Sequence, residues 1–162
     1  MKVIIINGPM GVGKTTVGKY IADQHPGTAL IDGDWCMDIH PFTGNPETRA
    51  MAADNILHMI GNYQKCSVCS MVVLVWLMDD PRIIQRIMDG LSALQAEVKS
   101  VTLVCDRENL IRRWNHDQDC EWRTDAWLNV SLKSLPGFES MENTIDTGGL
   151  TIEQAADLVM KR

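Results

Sequence analysis

Apolar residues gather in five runs along the chain: Val3–Ile6, Ala29–Ile31, Met71–Met78, Val101–Cys105 and a weaker one at Thr144–Ile145. The third, Met71-Val72-Val73-Leu74-Val75-Trp76-Leu77-Met78, is apolar without alternation and predicts a strand buried on both faces. Between the runs the spacing turns helical. Val17, Tyr20 and Ile21 share one face of a first helix. Asn45-Pro46 supplies an N-cap and a first-turn proline for a second, which continues to about Lys65. Asp80-Pro81 opens a third in the same way, with Ile83, Ile84, Ile87, Met88, Leu91 and Leu94 at helical spacing. Asp106 caps a fourth through Trp114, and Thr151 with Gln154 forms a capping box for the last. Strands alternating with helices predict an α/β fold, a mostly parallel sheet covered on both faces. The stretch from Asn115 to Pro136 breaks the alternation and reads as a helical excursion over the sheet edge.

Composition narrows the class. With 162 residues, 45% of them hydrophobic, the chain can bury about 69% of its surface as one domain spanning residues 1–162. A net charge of −6 leaves no broadly basic face, which excludes phosphate-backbone binding of nucleic acid. No apolar run reaches the ~18 residues of a membrane span, and Met1–Asn7 is too short for a signal peptide. Five cysteines scattered at 36, 66, 69, 105 and 120 fit a reducing cytoplasm. Cys66-Ser67-Val68-Cys69 precedes a strand and has no second pair, so a strand entrance suits it better than a zinc or redox site.

Gly8-Pro9-Met10-Gly11-Val12-Gly13-Lys14-Thr15 is a complete phosphate-binding loop between a strand and an amphipathic helix. Its glycines let backbone N–H groups converge on phosphate oxygens, and the helix aims its positive end at the same anion. Gly8, Gly11, Val12, Gly13, Lys14, Thr15 and Thr16 are its nucleotide-binding candidates. Lys14 reaches the β- and γ-phosphates, and the Thr15 hydroxyl is a Mg²⁺ ligand.

Leu30-Ile31-Asp32-Gly33-Asp34 places two carboxylates after the second strand. One can hold Mg²⁺ while the other orients or deprotonates an acceptor hydroxyl. We assign Asp32 to the metal and Asp34 to the acceptor, with Asp79 the competing metal ligand. Asp146-Thr147-Gly148-Gly149 matches a GTPase switch, but no Asn-Lys-x-Asp sequence follows it. Asp146 and Thr147 then fall beside the nucleotide base, at a strand's carboxyl end, and ATP is favoured over GTP. Arg49 lies on the inward stripe of its helix with Ile56 and Ile60. It either snorkels outward or points into the cleft, where it would suit an anionic acceptor. Trp114, Trp122 and Trp127 are read as packing residues.

Gly8–Thr15 with Asp32-Gly33-Asp34 resembles the P-loop small-molecule kinases: shikimate, gluconate and adenylylsulfate kinases, with nucleoside-monophosphate kinases as relatives. Bacterial proteins described as nucleotide kinases or P-loop ATPases are the most similar. The resemblance implies a five-stranded parallel sheet with helices on both faces and a helical lid, here about residues 115–123. It implies arginines at the lid base, Arg112 and Arg113, with Arg123 at the lid's far end, against adenine or the transferring phosphate. Three departures stand out. The lid is acidic at Asp117, Asp119 and Glu121; the third strand ends in Trp76-Leu77-Met78; and Trp35–His40 matches no acceptor-specific sequence. The expectation is an ATP-dependent kinase with Lys14, Asp34 and Arg113 as catalytic residues. Its partners are ATP with Mg²⁺ and a small-molecule acceptor, such as a nucleotide or another anionic metabolite, bound by Asp34 and Arg49. The alternative is a nucleotide-dependent regulatory ATPase or switch.

Overall fold

The computed structural model describes residues 1–116 and 123–162. Five strands, β1 (Lys2–Asn7), β2 (Thr28–Asp32), β3 (Met71–Val75), β4 (Glu97–Val104) and β5 (Thr144–Asp146), pair in the order β2-β3-β1-β4-β5. Every pairing is parallel. The helices are α1 (Lys14–Gln24), α2 (Pro46–Gln64), α3 (Pro81–Ala93), α4 (Arg107–His116), α5 (Asp125–Glu139) and α6 (Ile152–Lys161), with a 3-10 turn at Trp35–Met37. The caps read from the sequence are present: Asn45 with Thr48, Asp80, and Thr151 with Gln154.

Both faces of the central strands are apolar because helices cover both. Ile4 and Ile6 of β1 join Val17, Ile21, Leu110 and Leu135 on one face. Val3 and Ile5 join Ile56, Ile60, Ile83 and Ile87 on the other. β1 is the strand about which the chain reverses direction across the sheet. Its carboxyl end is therefore where an open α/β sheet leaves a crevice for ligands.

Three boundaries differ from the sequence reading. β3 ends at Val75: Trp76 still donates to the Ile6 carbonyl at 3.2 Å, but at Met78 the Asn7 side chain replaces the neighbouring strand. β4 starts at Glu97, before its apolar run, because β5 pairs only its last residues and leaves the first half partly open to solvent. Polar residues are tolerated there. Lastly, α5 is no excursion over the sheet edge. Its Leu132, Leu135 and Phe138 are buried, and it continues past Pro136. Of the lid, Asn115 and His116 belong to α4, while Asp117, Asp119, Glu121 and Trp122 lie outside the described residues. Among the described residues no helix is long and apolar enough to cross a membrane.

Candidate functional site

Gly8, Gly11 and Gly13 all take positive φ, at 142°, 80° and 104°. A side chain is excluded at two of them by contact as well. A Cβ on Gly8 would stand 2.4 Å from the Leu103 carbonyl oxygen, and one on Gly11 would stand 2.9 Å from the Trp114 ring. Above Gly13 there is open space. Gly13 also caps α1 without any side-chain hydrogen bond, and the first turn of α1 carries no acidic residue. The N–H groups at this helix start thus remain available to an anion.

Lys14 folds back along the loop, donating from Nζ to the Gly8 and Pro9 carbonyls, each at 2.8 Å. Burial lowers its pKa from 10.5 to about 8, with Asp34 and Asp32 pulling in the opposite direction. Thr15 Oγ1 donates to Asp32 Oδ2 at 2.9 Å, and the other Asp32 oxygen accepts from the Asp34 backbone N–H at 3.1 Å. Asp34 is exposed as a residue, yet desolvation of its carboxyl and the neighbouring Asp32 raise its pKa. Lys14, a hydrogen bond from Trp76 and Arg49 oppose that rise. Both carboxylates therefore share one crevice with the lysine, as the sequence reading required. The glycine between them is fixed by a contact that reading missed: a Cβ on Gly33 would lie 2.1 Å from Cγ of Trp76.

Asn7 is a second residue the sequence analysis passed over. Its Oδ1 accepts from the N–H of Gly8 and from the N–H of Met78, both at 2.8 Å, and its Nδ2 donates to the Met78 carbonyl at 3.0 Å. One buried amide thereby ties the start of the phosphate loop to the end of β3. The available signal was a polar residue closing an apolar strand beside the motif. Next to Met78, Asp79 accepts from Arg49 Nη1 at 2.6 Å. Arg49 is thus close enough to act on Asp34, and its charge is met by Asp79.

On the other side of the loop a cavity of about 1060 Å³ opens, lined by Val12, Thr16, Arg112, Arg113, Arg123 and Thr147 among others. Arg113 donates to the Val12 carbonyl at 2.8 Å and to both the hydroxyl and the carbonyl of Thr147, at 2.9 and 2.5 Å. Arg112 donates to Asn109 Oδ1 at 2.6 Å. Arg123 lies 5.3 Å above the Trp114 ring, and its Nη1 donates to the Arg113 carbonyl. Trp114 itself is buried beneath Gly11, a packing role as expected. Thr147 is a wall residue, whereas Asp146 accepts from the Gly148 N–H and is not on the cavity lining.

A family model described as "AAA domain" matches residues 4–131. A curated nucleotide-binding protein of Actinobacillus pleuropneumoniae serotype 5b is 27% identical over 145 residues, covering 90% of this chain and 43% of that protein. The chain thus spans less than half the length of that relative. Among solved structures, the tunicamycin resistance protein of Deinococcus radiodurans superposes with a TM-score of 0.73 at 20% identity, over 99% of this chain and 94% of that one. A gluconokinase from Sinorhizobium meliloti gives 0.71 at 15% identity, over 99% and 90%. Shikimate kinase from Bacteroides thetaiotaomicron gives 0.64 at 21%, over 99% and 95%. The fold is that of the P-loop kinases.

Proposed function

This chain belongs to the AAA domain family, and we propose that within it the protein is an ATP-dependent phosphotransferase acting on a small-molecule hydroxyl. The observation that carries the reading is the convergence of Lys14, Thr15, Asp32 and Asp34 on one crevice beside an uncapped helix start. Two of the fold neighbours bear kinase names, and the curated relative is called nucleotide-binding; both agree with the reading.

In the proposed reaction the acceptor oxygen attacks the γ-phosphorus, the bond from that phosphorus to the β,γ-bridging oxygen breaks, and ADP leaves. The hydroxyl proton passes to Asp34. Such a transfer asks the protein for positioning and charge stabilisation more than for covalent chemistry. Loop N–H groups hold the β-phosphate. Lys14 would leave the Gly8 and Pro9 carbonyls for the β- and γ-oxygens, which favour its charged form. Thr15 Oγ1 and Asp32 Oδ2 are hard oxygen donors 2.9 Å apart, a pair that suits Mg²⁺. When bound there, the ion supplies charge neutralisation on the β- and γ-phosphates. Arg112 and Arg123, which line the cavity, would face a nucleotide bound in it. Arg113, held by Val12 and Thr147, positions the loop against the β5–α6 turn. A regulatory ATPase would give the Asp34 carboxylate no work in this crevice.

Calorimetry of Mg-ATP with the wild-type chain and with Lys14→Ala tests the reading. Binding by the first and its loss in the second are expected. No affinity in the wild type at neutral pH would overturn it.

A further inference from the structure

Beyond the phosphoryl crevice, on the open edge of the sheet, lies a second cavity of about 400 Å³. Its walls are Leu30 and Asp32 of β2, Trp35 and Cys36 of the 3-10 turn, and His58 and Met59 of α2. Trp35 is 70% exposed although it directly follows Asp34. With Leu30 and Met59 it extends the apolar part of the cavity wall towards the surface. The turn that carries it is held in place: Asn55 Nδ2 donates to the Cys36 carbonyl at 2.9 Å, and Cys36 Sγ lies 3.9 Å from Met59 Sδ. The wall is therefore a fixed surface, and Asp32 joins it to the phosphoryl crevice.

Charge decides what fits. Among the described residues no lysine or arginine lines this cavity. Arg49 pairs with Asp79 and Lys14 with the phosphate-loop carbonyls, neither of them on this wall. A carboxylate or phosphate seated here would face Asp32 across a wall whose one basic side chain among the described residues is His58, an arrangement that disfavours anions. A flat apolar body would instead cover Trp35, Met59 and Leu30 in a volume suited to one or two rings.

We infer that this cavity receives the uncharged, aromatic or otherwise apolar body of the acceptor, whose hydroxyl then reaches Asp34. The acceptor class is a neutral hydroxyl compound, not the phosphorylated or carboxylated metabolite that Arg49 first suggested. The assignment rests on the phosphotransferase reading for its orientation, though the cavity itself does not depend on it.

Benzyl alcohol and benzyl phosphate serve as matched probes, titrated into the Mg-ADP-loaded full chain while NMR follows the Trp35 indole N–H and the Met59 methyl. Benzyl alcohol should shift both resonances saturably, in the ~1–10 mM range expected of so small a ligand. Benzyl phosphate should bind at least about tenfold more weakly. Trp35→Ala, a change at an exposed position, should weaken the alcohol several-fold. An absence of saturable shifts at both residues, equal or tighter binding of the phosphate, or unchanged affinity in Trp35→Ala would overturn the assignment. Mg-ATP calorimetry on the same preparation separates the two claims. ATP binding without the shifts removes the pocket alone, while shifts without ATP affinity remove the phosphotransferase reading alone.

Discussion

On the nucleotide side of the crevice, consecutive residues from Gly8 to Thr15 act chiefly through their backbone: positive φ at three glycines, carbonyls that hold Lys14, and a helix start left uncapped. On the acceptor side, side chains meet from far apart in the sequence. Arg49 reaches Asp79 across 30 positions, and Asn7 reaches Met78 across 71. The backbone half depends on three positive-φ glycines, two of which have no room for a Cβ. The side-chain half is assembled from single residues, so on the proposed reading substrate choice belongs there.

The largest expected effect attacks the nucleotide half. Lys14→Ala should lower phosphoryl transfer by about 10³-fold or more, the scale of losing a preorganised electrostatic contact, as measured by ADP release. The same lysine gives a pH test in the free protein. Its pKa is about 8 folded against 10.5 ordinarily, so between those values the unfolded chain binds more protons. Stability should therefore rise with pH across that window in the wild type. In Lys14→Met the part of that rise contributed by Lys14 should be lost. Scanning calorimetry at several pH values reads both.

Next comes the pair of carboxylates, where the two halves meet. Asp34→Asn should lower transfer by about 10²–10⁴-fold with Mg-ATP affinity retained, while Asp32→Asn should raise the Mg²⁺ requirement. Titration calorimetry and initial rates separate these outcomes. Loss of Mg-ATP binding in Asp34→Asn alone would invert the roles. Because the Asp34 pKa is raised, turnover should fall on acidification at a pH above the ordinary carboxylate range.

Two glycines break any simple division of steric limits between the halves. Gly33→Ala drives a methyl into Trp76 and should cost about 3 kcal/mol or more. Gly13→Ala meets open space and should cost only the backbone penalty of about 1–2 kcal/mol. Urea denaturation compares them. Asn7→Ala comes close behind at about 2 kcal/mol, since it leaves the N–H groups of Gly8 and Met78 unpaired.

The smallest effect is expected for Arg49→Ala. Its pair with Asp79 is part-exposed, so folding stability should change by no more than about 1 kcal/mol. Asp79→Asn frees the guanidinium, and binding of benzyl phosphate should then improve over the wild type. No gain would mean that Arg49 is held by more than its carboxylate partner.

Several features of this molecule were legible in the amino-acid sequence because they are local. The phosphate loop, the capping residues Asn45, Asp80 and Thr151, and the alternation of apolar runs with helical spacing each occupy a window of a few residues. Within such a window, backbone sterics and hydrogen-bonding periodicity suffice to specify the outcome. The proximity of Thr15 to Asp32 followed from the same alternation, since Thr15 opens the helix after β1 and Asp32 ends the parallel strand β2. What Arg49 touches, why Gly33 must lack a side chain, and how Arg113 is engaged by Val12 and Thr147 were decided only in the tertiary structure. So was the end of β3, where the Asn7 amide replaces a strand. Each of these depends on which side chain from a distant element arrives at a given point, and that follows from the packing of the whole sheet and its helices rather than from the preferences of any one segment.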